Sequence, residues 1–133
     1  MDSANSAHAV AFWVGLHLLL LLTLSLLVVR QRQRHKVMLG DEGVPELARA
    51  IRAFGNATEY VPAGLIGLGV LALVEAPPLA IHVAGLMLFA GRALHAVGLS
   101  SSGGPTFPRA IGMVLTWVAY VFLGAALLFY ALP

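Results

Sequence analysis

Arg49, Arg52, Asn56 and Glu59 interrupt a stretch that otherwise reads as the start of a membrane-crossing helix, ELARAIRAFGNATEYVP from Glu46 to Pro62. At 100° per residue they fall at about 0°, 300°, 340° and 280°, a face about 80° wide. Two guanidiniums, an amide and a carboxylate therefore project in one direction, spread over about 15 Å of helix axis. The chemistry open to such a face is recognition of an anion that also carries one cationic group. An arginine fork donates two parallel hydrogen bonds to a carboxylate, and Glu59 can accept from an ammonium. The purely apolar remainder, Val61 to Val74, falls short of the roughly 20 residues a span needs. The polar half must supply part of the crossing, so its face must meet protein, water or a ligand rather than lipid.

The rest of the chain says what positions this face. Of 133 residues, 59% are hydrophobic and 11% charged, and the mean hydropathy is +0.88. A soluble domain carries about 25% charged residues, so these values point to a polytopic membrane protein, read as one domain. The absence of cysteine excludes disulfides, thiolate metal sites and a cysteine nucleophile. No other metal-ligand set stands out.

Four helices are expected, at about 7–29, 46–74, 79–98 and 108–131, giving an all-α four-helix membrane bundle. The first is no signal peptide, because it lacks a basic leader and its apolar run is too long. The basic run Arg30, Arg32, Arg34 and Lys36 follows it and reads as a stop-transfer collar against headgroups. It is too short and too close to the membrane for nucleic-acid binding. Pro45 and Glu46 open the second helix. Glu75 to Pro78 is a tight turn, and Leu99 to Pro108 reads as a loop from its Ser, Gly and Pro content. Arg92 and His95, three apart, share a face near the end of the third helix. Arg109 begins the fourth. His8, His17 and His82 read as packed or interfacial imidazoles.

All eight Lys and Arg residues fall where an up-and-down stack has its first and third connections. The positive-inside rule makes that side cytoplasmic and leaves both termini outside. Arg49, Arg52, Arg92 and Arg109 then lie at similar depth, with Asn56, Glu59, Tyr60 and His95 among them. One reading is an internal salt-bridge network, since buried charges pair. The other is a ligand site, because four arginines outnumber Glu59 and the surface-near Glu46. Glutathione fits the second reading, with two carboxylates, one ammonium and one thiol. An arginine beside its sulfur would hold it as the reactive thiolate.

RAIRAFGNATEYVP, residues 49 to 62, resembles the second-helix motif of the MAPEG family, the membrane-associated proteins in eicosanoid and glutathione metabolism. The match is Arg52, Asn56, Glu59-Tyr60 and Pro62. GRALHAVGL (91 to 99) and FPRAIG (107 to 112) resemble that family's third-helix end and fourth-helix start. The resemblance covers essentially the whole chain and is strongest to the short bacterial members. It implies a homotrimer in the inner membrane, with glutathione held between neighbouring subunits on the cytoplasmic side. By position it implies glutathione contacts from Arg52, Asn56, Glu59, Tyr60, Arg92 and His95. Arg109 matches the arginine assigned to thiolate stabilisation in the leukotriene and prostaglandin synthases, and so stands as the catalytic candidate. Contacts from Arg49, Arg32 and Arg34 are left open. Leu99 stands where those synthases tend to have a tyrosine, so that contact is lost and eicosanoid chemistry is not implied. The implied activity is glutathione conjugation to a lipophilic electrophile or reduction of a lipid hydroperoxide, as a transferase or peroxidase in detoxification. The alternatives are a non-catalytic lipid-binding or scaffold protein of the same fold, and a small transporter. The transporter is weaker, because no inverted repeat or broken helix is present.

Overall fold

A computed structural model describes residues 2–132, with side chains described from Ala4 onward. Four helices run through it: α1 (Asp2–His35), α2 (Pro45–Leu73), α3 (Pro78–Ser101) and α4 (Phe107–Ala131). Each contains a window long and apolar enough to cross a membrane. The expected number and order of helices hold. The C-terminal ends of two helices differ, and each difference has a local cause.

α1 runs on through the basic collar to His35 rather than ending near residue 29. Arg, Gln and Lys are good helix formers, so leaving the membrane does not require leaving the helix. Lys36 turns the chain with φ 56°, and Arg32 Nη1 then holds the loop by donating to the Gly40 carbonyl at 2.9 Å. α3 also continues past its expected end, through Ser101. The Ser101 hydroxyl donates to the Gly98 carbonyl at 3.0 Å, so serine here satisfies a carbonyl of the last turn that has no partner within the helix. The true breakers are Gly103, Gly104 and Pro105. At the start of α4, Thr106 is the N-cap and accepts from the Arg109 N–H at 3.4 Å.

α1 packs on α2 and α3, and α4 packs on α3 and α2. One apolar cluster joins Trp13, Leu68, Leu71, Ile81, Ala84 and Leu123. A second, richer in alanine, joins Leu24, Ala53, Ala57, Ala96 and Leu99 toward the basic end. Small residues suit it, because helices in lipid associate by close packing rather than by escape from water. The closest approach is between α3 and α4. A Cβ on Gly91 would stand 2.7 Å from Thr116 Oγ1 and 2.9 Å from the Gly112 carbonyl oxygen, and one on Gly112 would run into the backbone of His95.

His17 is buried, with Nδ1 2.7 Å from the Trp13 carbonyl oxygen and its ring edge-on to Phe89. His82 Nδ1 accepts from the Trp13 indole N–H at 3.2 Å. The Trp13–His82 bond ties α1 to α3 at the far end from the basic face, and His17 packs on α3 nearer the middle.

Candidate functional site

The site begins at Arg92, which α3 aims into the bundle and buries to 1% exposure. Its Nε donates to Thr116 Oγ1 at 2.8 Å and its Nη1 to Asn56 Oδ1 at 2.7 Å. Its Nη2 reaches the Gly112 carbonyl at 3.4 Å. The carbonyl is within reach because Gly112 lets α3 and α4 approach. The Tyr60 ring lies against the guanidinium, 4.8 Å from Cζ, and the Tyr120 hydroxyl donates to the Tyr60 carbonyl oxygen.

This arrangement decides how Asn56 sits. Arginine has donors only, so the Asn56 amide must turn its oxygen toward Arg92. Its NH₂ then points the other way and donates to Glu59 Oε2 at 3.3 Å. Glu59 Oε1 accepts from Arg52 Nη1 at 3.3 Å. A polar chain thus runs from Thr116 in the interior through Arg92, Asn56 and Glu59 to Arg52 at the surface. Its outer pair is exposed, with 62% of the Arg52 side chain and 51% of the Glu59 side chain accessible. Such a pair contributes at most about 1 kcal/mol to stability, so its presence on this face is not explained by folding.

Beside the chain lies a pocket of about 450 Å³, lined by Asn56, His95, Thr106, Arg109 and Met113 among others. Arg109 is at the third position of α4, where the unpaired N–H groups of a helix start also favour negative charge. The ion pairs among the described residues are Arg49–Glu46 and Arg52–Glu59, so neither Arg92 nor Arg109 is neutralised by a carboxylate. One of these cations is on the pocket wall and the other is directly behind Asn56. Among the described residues there is no grouping of His, Asp and Glu that would hold a metal ion.

The sequence-derived residues separate into three groups. Asn56, His95 and Arg109 line the pocket. Arg52, Glu59 and Tyr60 join Asn56 or Arg92 through the contacts above. Arg92 does not line the pocket, since its fork is occupied by Asn56, Thr116 and Gly112. Arg49 leaves the group despite sharing a helical face with Arg52: it meets Glu46 at 3.6 Å and faces the α1 side of the bundle. The 80° polar face is thus divided between two sides of α2. Arg34 is exposed. Sequence reasoning did not reach Thr116, Gly112, Met113 or Thr106. The available signal was Gly112 with Thr116 four residues on, a small-residue face on α4 of the kind that admits a neighbouring backbone.

Similarity to known proteins follows the same elements. The family model for the MAPEG family matches residues 10–129. Two similar proteins are each named inner membrane protein YecN, one from Escherichia coli (strain K12) and one from Escherichia coli O6:H1 (strain CFT073). Each is 36% identical over 121 residues, covering 90% of this chain and 90% of the relative. The family match runs from α1 into the last turns of α4 and includes every residue of the polar chain and of the pocket wall, so this four-helix membrane protein belongs to the MAPEG family.

Proposed function

We propose that the chain is a glutathione-dependent enzyme of the inner membrane, working as a homotrimer. It conjugates glutathione to a lipophilic electrophile or uses glutathione to reduce a lipid hydroperoxide. The observation that carries this reading is the pocket at Asn56, His95 and Arg109, with two guanidiniums near it that no carboxylate neutralises. An anionic ligand with one ammonium completes that charge pattern. The Asn56 NH₂ and the Arg52 fork are donors for carboxylates, and Glu59 accepts from the ammonium. Tyr60 and Arg92 hold Asn56 in the orientation that presents its NH₂, and His95 adds a hydrogen-bonding group at the wall.

Arg109 faces the sulfur. A free thiol with pKa near 8.5 is only a few per cent ionised at pH 7. A guanidinium beside it favours the thiolate, which attacks the electrophilic carbon, forms the C–S bond and expels the leaving group with its electron pair. In the peroxidase variant two glutathiones are oxidised to their disulfide while the hydroperoxide is reduced to an alcohol and water. The basic end of the bundle faces the cytoplasm, and the apolar substrate enters from the bilayer.

The second reading, a lipid-binding or scaffold protein without catalysis, is favoured by one observation, an apolar groove between α1 and α3. Titration of purified protein with glutathione in detergent separates the two. The enzyme reading expects saturable binding, weakened about 10- to 150-fold in Glu59→Gln by loss of a charge-assisted contact. Absence of binding at millimolar glutathione would leave the second reading.

A further inference from the structure

Three buried side-chain polar atoms lack a hydrogen-bond partner among the described residues: His17 Nε2, Gln31 Oε1 and Arg49 Nε. The residues that carry the last two, Gln31 and Arg49, line one small pocket of about 150 Å³, together with Glu46, Leu27 and Ser100. One is a donor and the other an acceptor, and burying either without a partner costs about 1–3 kcal/mol. Their proximity does not solve this, because they do not bond to each other. Glu46 adds a carboxylate whose contact with Arg49, at 3.6 Å, is long. The walls thus ask for a group that accepts from Arg49, donates to Gln31 and places positive charge at Glu46.

The pocket does not end there. Leu27 and Ser100 also line a groove of about 430 Å³ that continues between α1 and α3 past Leu24 and Val97 to Leu20 and Ala93. That volume is in the range of pockets that hold small organic ligands, about 300–1,000 Å³. From Gln31 to Leu20 the helix rises about 16 Å, a large part of one leaflet of a hydrocarbon core about 30 Å thick. The lower part is apolar and the mouth is polar, at the end where Arg30 and Arg34 mark the headgroup level. The groove lies away from the pocket of Arg109. On α3 its residues centre about 150° around the axis from His95.

We infer that the α1–α3 groove holds a structural phospholipid with a phosphate and a primary ammonium in its headgroup. One acyl chain lies along Leu24, Ala93 and Val97. The phosphate accepts from the partly exposed Arg49 guanidinium and the Ser100 hydroxyl. The ammonium donates to Gln31 Oε1 and sits against Glu46. A choline headgroup has no N–H to donate, and a glycerol headgroup has no cation for Glu46, so both fit less well.

The test is native mass spectrometry of the full chain in detergent, titrated with dioleoyl phosphatidylethanolamine, phosphatidylcholine or phosphatidylglycerol. The expected result is retention of the ethanolamine lipid about tenfold more tightly than either other lipid, with that preference lost in Glu46→Gln. Arg49→Gln should weaken retention of every lipid. Ala93→Phe, which fills the groove away from the headgroup, should weaken it too while leaving glutathione affinity and the helical circular dichroism unchanged, so that loss of lipid cannot be ascribed to misfolding. Equal retention of the three lipids, or retention unaffected by Arg49→Gln and Ala93→Phe, would overturn the inference. So would a groove that takes no lipid.

Discussion

Arg92 is the residue on which the polar layer depends. A guanidinium that is 1% exposed and has no carboxylate partner would be costly if its donors were unmet. Thr116, Asn56 and Gly112 meet them, and the Tyr60 ring takes part of the charge on its π face. Its chemistry is therefore geometric: it fixes which end of the Asn56 amide faces Glu59. Lysine keeps the charge but has no planar fork and cannot reach three acceptors in one plane. Arg92→Lys should lower stability by about 1–3 kcal/mol, read as a lower melting temperature in detergent. Glutathione affinity should also fall, because Asn56 is then free to turn. A melting point and affinity equal to wild type would show that Asn56 is oriented by something else. The sequence placed Arg92 beside His95 and at the right depth. Its inward aim was not legible, because a stripe shared by two residues does not say which of them a neighbouring helix covers.

At the scale of elements, the α3–α4 contact decides whether that network can form. Gly91 and Gly112 remove the side chains that would hold the helices apart, and the Gly112 carbonyl then serves both Arg92 and Thr116. Gly112→Ala forces a methyl into the backbone of His95, and overpacking of this kind costs about 1–3 kcal/mol. Its melting temperature should fall accordingly. Gly124→Ala is the matched control, since nothing lies within 4 Å of a Cβ there. It should be neutral or stabilising by up to about 1 kcal/mol, the helix-propensity difference. Equal effects at both positions would mean that the close approach carries no weight. The four helices themselves were legible from apolar run length, and the start of α2 from Pro45. The extensions of α1 to His35 and α3 to Ser101 were not. Charge was read as the end of a helix when it marks only the end of the membrane, and serine was read as a breaker when its hydroxyl caps a carbonyl.

For the molecule as a whole, the structure gathers polar chemistry at one end of a four-helix bundle and leaves apolar side chains exposed along the rest, among them Leu19, Ile66, Val121 and Phe129. Arg52 and Glu59 remain exposed on the single chain, which is the physical reason to expect a neighbouring copy over them. Native mass spectrometry in detergent should show three copies, and a monomer that still binds glutathione would contradict a shared site. The one-sided placement of charge was legible from counting alone. The division of the α2 face, with Arg49 turned to α1 and Arg52 to Glu59, was not, because periodicity gives a direction and not a partner. In the proposed mechanism Arg109 holds bound glutathione as a thiolate. The direct measurement is the ultraviolet absorbance of the thiolate on adding glutathione at pH 7, in wild type and in Arg109→Ala. A shift of about two pKa units corresponds to about 2.7 kcal/mol. Wild type should show the thiolate band at neutral pH. Arg109→Ala should keep the trimer and most of the affinity but lose the band, and conjugation should fall about 10- to 100-fold and recover in part as the pH rises. An unchanged band and unchanged turnover in Arg109→Ala would contradict the account.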